Sequence, residues 1–147
     1  MSGMDANPFL TAVWGRFLGV RTWEQLDALW DVVRADAECG WYLYALDQPP
    51  PASPSVADAV RAFVAHIDAC LHHEHRAAYC GFVYVDDPAR PSFIKAFEPR
   101  RFSGCGHGTG KALPSWILCK LPPVDLPASI APAKPPTPWW KGPFGKG

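Results

Sequence analysis

The chain has no surplus of charge: fourteen Lys and Arg balance fourteen Asp and Glu. A protein that holds nucleic acid regardless of sequence needs a basic surplus to displace counterions, so neutrality argues against that class. Long apolar runs are also missing. No stretch approaches the about eighteen uninterrupted apolar residues of a membrane span. The nearest candidate, Phe9 to Val20, is broken by Arg16 and follows Asp5 rather than a basic segment, unlike a secretory signal. Close Cys-x-x-Cys pairs are absent too, and the five cysteines are odd in number and irregularly spaced. That pattern suits reduced thiols better than a disulfide framework, so the expectation is a cytoplasmic protein. The Ala, Pro and Arg usage suits a GC-rich bacterial genome. No internal repeat is visible.

What is present is enough for one packed domain. The chain has 147 residues, 48% of them apolar, with seven Trp and eight Phe to bury. Its charge is unevenly placed. Residues 1–75 carry ten acids against four bases, and residues 76–147 carry four acids against ten bases. The halves can attract each other within one fold, or the basic half can offer a face to an anionic ligand or partner.

Asn7 and Pro8 open a first helix whose apolar face is Phe9, Val13 and Phe17, with Gly19 near its stop. Thr22, with Gln25 three residues on, caps a second helix that buries Leu26, Leu29, Trp30 and Val33 and ends at Gly40. Trp41 to Leu46 is a short aromatic run typical of a buried strand. After a proline-rich loop, Ser55 opens a third helix to about Arg76, its inner face Val56, Val60, Phe63, Val64, Ile67 and Leu71. Strands are expected at Cys80–Val85, Ser92–Phe97 and Ser115–Leu121, the first two joined by a turn rich in Asp and Pro. The predicted class is α+β: three N-terminal helices on one face of a small, mainly antiparallel sheet of three to four strands. The globular domain is drawn over residues 1–121. Residues 122–147 hold eight prolines and read as an extended tail.

Three groups of residues could carry chemistry. His66, Cys70 and His73 share one flank of the third helix, and Cys80, Cys105, His107 and Cys119 add soft donors, so zinc or iron is conceivable. Against this, no spacing matches a ligand knuckle, and imidazoles near a helix C-terminus are favoured by its dipole. Gly104, Gly106, Gly108 and Gly110 form a loop with Arg100, Arg101 and Lys111 nearby, a possible nest for an anion. It is not a Walker loop, because Cys105 and Ala112 stand where Gly and Ser or Thr are required. Cys105 with His107 suggests a thiol nucleophile, yet no orienting acid is evident.

The tail ends with Trp139, Trp140 and Phe144, aromatic anchors suited to an interface or to docking back on the domain. The expectation is a small accessory or regulatory protein without catalytic activity, which binds another protein's acidic patch through Arg100, Arg101 and Lys111 and through the aromatic tail. The alternative is a small metal- or cluster-binding protein. Neither reading involves nucleic acid or a membrane.

Overall fold

The structure, a computed structural model, describes residues 7–74, 79–98 and 113–130. Asn7 caps helix α1 (Pro8–Val13) as its sequence suggests. Its Oδ1 accepts the N–H groups of Phe9 and Leu10 at 2.9 and 3.1 Å, and Pro8 stands where no N–H is needed. The helix stops at Val13 rather than near Gly19. The Gly15 N–H returns to Ala12 O at 3.0 Å, and the chain goes on as a strand, β1 (Leu18–Thr22), which the helical reading overlooked. Phe9, Val13 and Phe17 resemble one helical stripe because all three reach the same core. Phe17 arrives there from the connecting segment and stands edge-on to Phe93, 5.6 Å between ring centres. Gly19 pairs with Tyr84, whose ring would lie 3.3 Å from any β-carbon at residue 19. That glycine makes room for a cross-strand aromatic instead of stopping a helix.

Helix α2 (Trp23–Ala35) begins with Thr22 Oγ1 accepting the Gln25 N–H at 3.0 Å, while Gln25 Oε1 accepts the Arg21 N–H at 2.8 Å. Gly40, at φ +87°, turns the chain into β2 (Tyr42–Ala45), a backbone state that penalises other residues. Helix α3 (Ala57–Glu74) buries Val60, Val64, Ile67 and Leu71. Val56, expected on that face, is 72% exposed. It precedes the helix and gives its carbonyl to the N–H groups of Ala59 and Val60.

β3 (Tyr79–Val85), β4 (Phe93–Ala96) and β5 (Trp116–Cys119) complete a five-stranded sheet in the order β1-β3-β4-β5-β2, antiparallel at each pairing. Along β5 the side chains alternate between two cores. Trp116 and Leu118 join Trp30, Val33, Val64 and Ile67 of α2 and α3, whereas Ile117 and Cys119 join Phe9 and Val13 of α1 with Tyr44 and Phe93. The chain is therefore mixed α+β, but with five strands among the described residues, and α1 lies on the face opposite α2 and α3. The reason is in the strands. All four β5 residues are buried, and a strand apolar at both parities needs cover on both faces. Lys95 is the polar exception on the α1 side. Its Nζ donates to Val13 O at 3.0 Å and lies 4.1 Å from the Phe17 ring centre, while burial pushes its pKa down.

Packed structure continues beyond residue 121, into the segment assigned to the tail. Asp125 Oδ1 accepts the Ala128 N–H at 3.1 Å and starts helix α4 (Leu126–Ile130). Pro127 sits in the first turn, where proline costs no helical bond, so the prolines here do not bar a helix. Leu126 is fully buried in the α1-side core, and its N–H donates to Tyr44 Oη at 3.2 Å. Among the described residues no helix is long and apolar enough to cross a membrane.

Candidate functional site

Polar side chains converge at the end of the sheet where β3 turns into β4 and β5 ends. Asp86 organises that turn. Its Oδ1 accepts the N–H groups of Ser92 and Phe93 at 3.0 and 3.1 Å, and its Oδ2 accepts the Ser92 hydroxyl at 2.6 Å. Asp87 Oδ1 takes the Ala89 N–H at 2.9 Å. Both carboxylates are thus turn formers, as their position before Pro88 suggests.

Lys120 follows β5, and its backbone N–H donates to Ser92 O at 3.1 Å, which brings it beside the turn. Its ammonium pairs with Asp36, just past α2, and lies 4.9 Å from the Trp41 ring centre. Burial works to raise the Asp36 pKa, but hydrogen bonds from Cys39 and Lys120 and the ammonium charge outweigh it and hold the carboxyl below its ordinary value. The same hydrogen bond, with desolvation and the carboxylate charge, pushes the Cys39 thiol up. Cys39 is exposed but kept protonated, which disfavours thiolate chemistry there.

Two open clefts flank Lys120 and share it with Ser92. One, of about 360 Å³, is walled by Ala12, Gly15, Arg16 and Asp86; the other, of about 380 Å³, by Val32, Asp36, Arg90 and Pro91. Arg16 and Arg90 are exposed, and neither forms an ion pair among the described residues. Three cations therefore surround the clefts, while the two carboxylates there already have their hydrogen bonds. This arrangement can receive an anionic group. The Ser92 hydroxyl does meet a base there, the Asp86 carboxylate, but that carboxylate is engaged in holding the turn.

Sequence reasoning missed this site because its parts are remote. Asp36 and Lys120 lie 84 residues apart, and no local motif links them. Arg100, Arg101, Cys105, His107, Lys111, Trp139, Trp140 and Phe144 lie outside the described residues. The backbone places His73 in α3 and Cys80 in β3. His66 Nε2 and Cys70 Sγ come within 3.7 Å, on the side of the sheet that carries α2 and α3, where His66 also meets the Trp116 ring edge-on. His72 is occupied differently: it stacks on Trp23 at 4.0 Å, with Nε2 3.6 Å from Asp68.

Cys119 is on the opposite face of the sheet from His66 and Cys70, so the structure does not bring these donors together. Its thiol donates to Leu121 O at 3.2 Å. Among the described residues no group of three or more His, Cys, Asp or Glu is placed to hold a metal ion. No protein family, curated protein or solved structure matches the chain.

Burial pushes the Cys119 thiol from 9.0 up to about 12. An unfolded chain releases that proton first, so this thiol's contribution to stability is constant below about pH 9 and falls as pH rises toward the folded value. The expected slope is about 1.4 kcal/mol per pH unit, and Cys119→Ala should remove it. Urea midpoints of both proteins from about pH 8 to about pH 10.5 check this. Parallel curves would refute it.

Proposed function

We propose that the chain is a small accessory protein without catalytic activity that binds another protein by an acidic segment, and that the clefts around Lys120 seat that segment. One observation carries the reading: Arg16 and Arg90 stand exposed beside Lys120 and form no ion pair among the described residues, while Asp36 and Asp86 already have their hydrogen bonds. A partner carboxylate brings these cations a counter-charge without displacing an existing one. Such rim charges give orientation and rate of encounter more than raw affinity.

The basic loop with Arg100, Arg101 and Lys111 and the tail aromatics Trp139, Trp140 and Phe144 belong to the same proposal as further contacts. Glu98 and Leu113, the described residues nearest that loop, lie at the end of β4 and β5 away from Lys120.

The test uses a fluorescein-labelled glutamate-rich peptide and its glutamine counterpart, followed by fluorescence anisotropy at two salt concentrations. The glutamate peptide should bind, weaken as salt rises, and bind at least about tenfold more tightly than the glutamine one. Equal affinity for both peptides, or none for either, contradicts the proposal.

A further inference from the structure

We infer that the acidic segment docks in extended form, as a sixth strand on the outer edge of β1, with its leading end in the Arg16 cleft. This rests on the function proposed above and specifies how the partner is held. β1 is the last strand of its sheet. Only β3 pairs with it among the described residues; the backbone groups of Leu18 and Val20 face β3, so the outer edge presents the Gly19 N–H and C=O to an incoming strand.

The strand starts at the cleft. Leu18 is opposite Val85, and the next residue, Asp86, lines the cleft beside Arg16. Arg16, two residues before Leu18, is what the cleft and the start of β1 have in common. Leu18 is 56% exposed while Val20, two residues on, is buried in the core with α2 and α3. Leu18 thus gives an added strand an apolar neighbour on that face.

Charge selects the occupant. Arg16 and Arg21 are both exposed and flank Leu18, Gly19 and Val20, and neither forms an ion pair among the described residues. The nearest acid along the chain, Glu24, sits in the first turn of α2 and forms no ion pair among them either. A second copy in antiparallel alignment would bring Arg21 of each copy toward Arg16 of the other, and like charges across a strand pair oppose that association. An acidic strand meets the same two residues with attraction. At the far end of β1, Gln25 Oε1 already holds the Arg21 N–H, which leaves the pairing to the cleft-proximal residues. The opposite edge, β2, carries no cation between Tyr42 and Leu46 and runs into Asp47, so it lacks this selection.

The probes are a peptide of alternating Glu and Val and two versions N-methylated at odd or at even positions. A strand paired on one edge uses the amides of alternate residues only. One methylated version should therefore bind like the parent, and the other at least about tenfold more weakly, the effect of losing two or three hydrogen bonds. The parent should also slow amide hydrogen exchange at Gly19, whose N–H faces the outer edge. Equal affinity of all three peptides overturns strand addition and leaves the acidic-segment reading standing. No binding by any of them defeats that reading and this one together. Exchange at Gly19 already as slow in the free protein as in the complex overturns the strand alone, because the edge would not be open.

Discussion

Trp30→Ala should lower the unfolding free energy by about 3–5 kcal/mol, a large share of the 5–15 kcal/mol typical of a domain. Trp30 is fully buried among α2, α3 and the sheet, so alanine leaves a large void in the principal core. Its indole N–H also donates to Asp68 Oδ1 at 3.1 Å, a bond between helices across 38 residues of sequence. Asp68 is only half-buried and has His72 nearby, so water can replace the lost donor, and the cavity dominates the cost. Trp30→Phe separates the two effects. It keeps much of the volume and should cost about 1–3 kcal/mol. Urea unfolding should show the midpoint drop with an unchanged slope if the native state keeps its fold.

The second large effect lies where the sequence suggested only a tail. Leu126→Ala should cost about 2–4 kcal/mol, because Leu126 fills the α1-side core against Phe9, Tyr44 and Phe93. A residue in a detached proline-rich segment would cost nothing measurable. Tyr44→Phe is a gentler companion: it removes the acceptor of the Leu126 N–H and should cost about 1 kcal/mol. Both variants are read by the same urea titration. An unchanged midpoint for Leu126→Ala would show that the segment after Leu121 does not contribute to the fold.

Local signals were the legible part of this chain. Asn7 and Thr22 with Gln25 mark helix starts through their hydrogen bonds. Gly40, expected to end α2, instead marks the turn into β2, because α2 already ends at Ala35 with Asp36 as its cap. The short apolar runs at Trp41 and Trp116 gave strands, since aromatic and branched residues fit a pleated surface. What those runs also said, that both sheet faces are covered, follows only when each parity is counted. Three helices then cannot all share one face. Leu18–Thr22 was illegible for a different reason: Phe17 has helical spacing from Val13 but reaches Phe93 from a bend. The clefts could not be read at all. Arg16, Asp36, Asp86, Arg90 and Lys120 become neighbours only through the antiparallel pairing of β4 with β5 and the placing of α1 and α2 on opposite faces.

Binding of an acidic segment rests on Arg16 and Arg90, which stand beside Lys120 and form no ion pair among the described residues. Its most direct test is titration of the labelled glutamate-rich peptide into the native protein and into an Arg16→Glu, Arg90→Glu variant, with the variant's urea midpoint as a check of its fold. Neither arginine makes an ion pair among the described residues, so the midpoint should stay where it was. Affinity should fall at least about tenfold, equivalent to about 1.4 kcal/mol, and the residual binding should lose most of its salt dependence. A folded variant that binds the peptide as tightly as the native protein, with the same response to salt, would contradict the account.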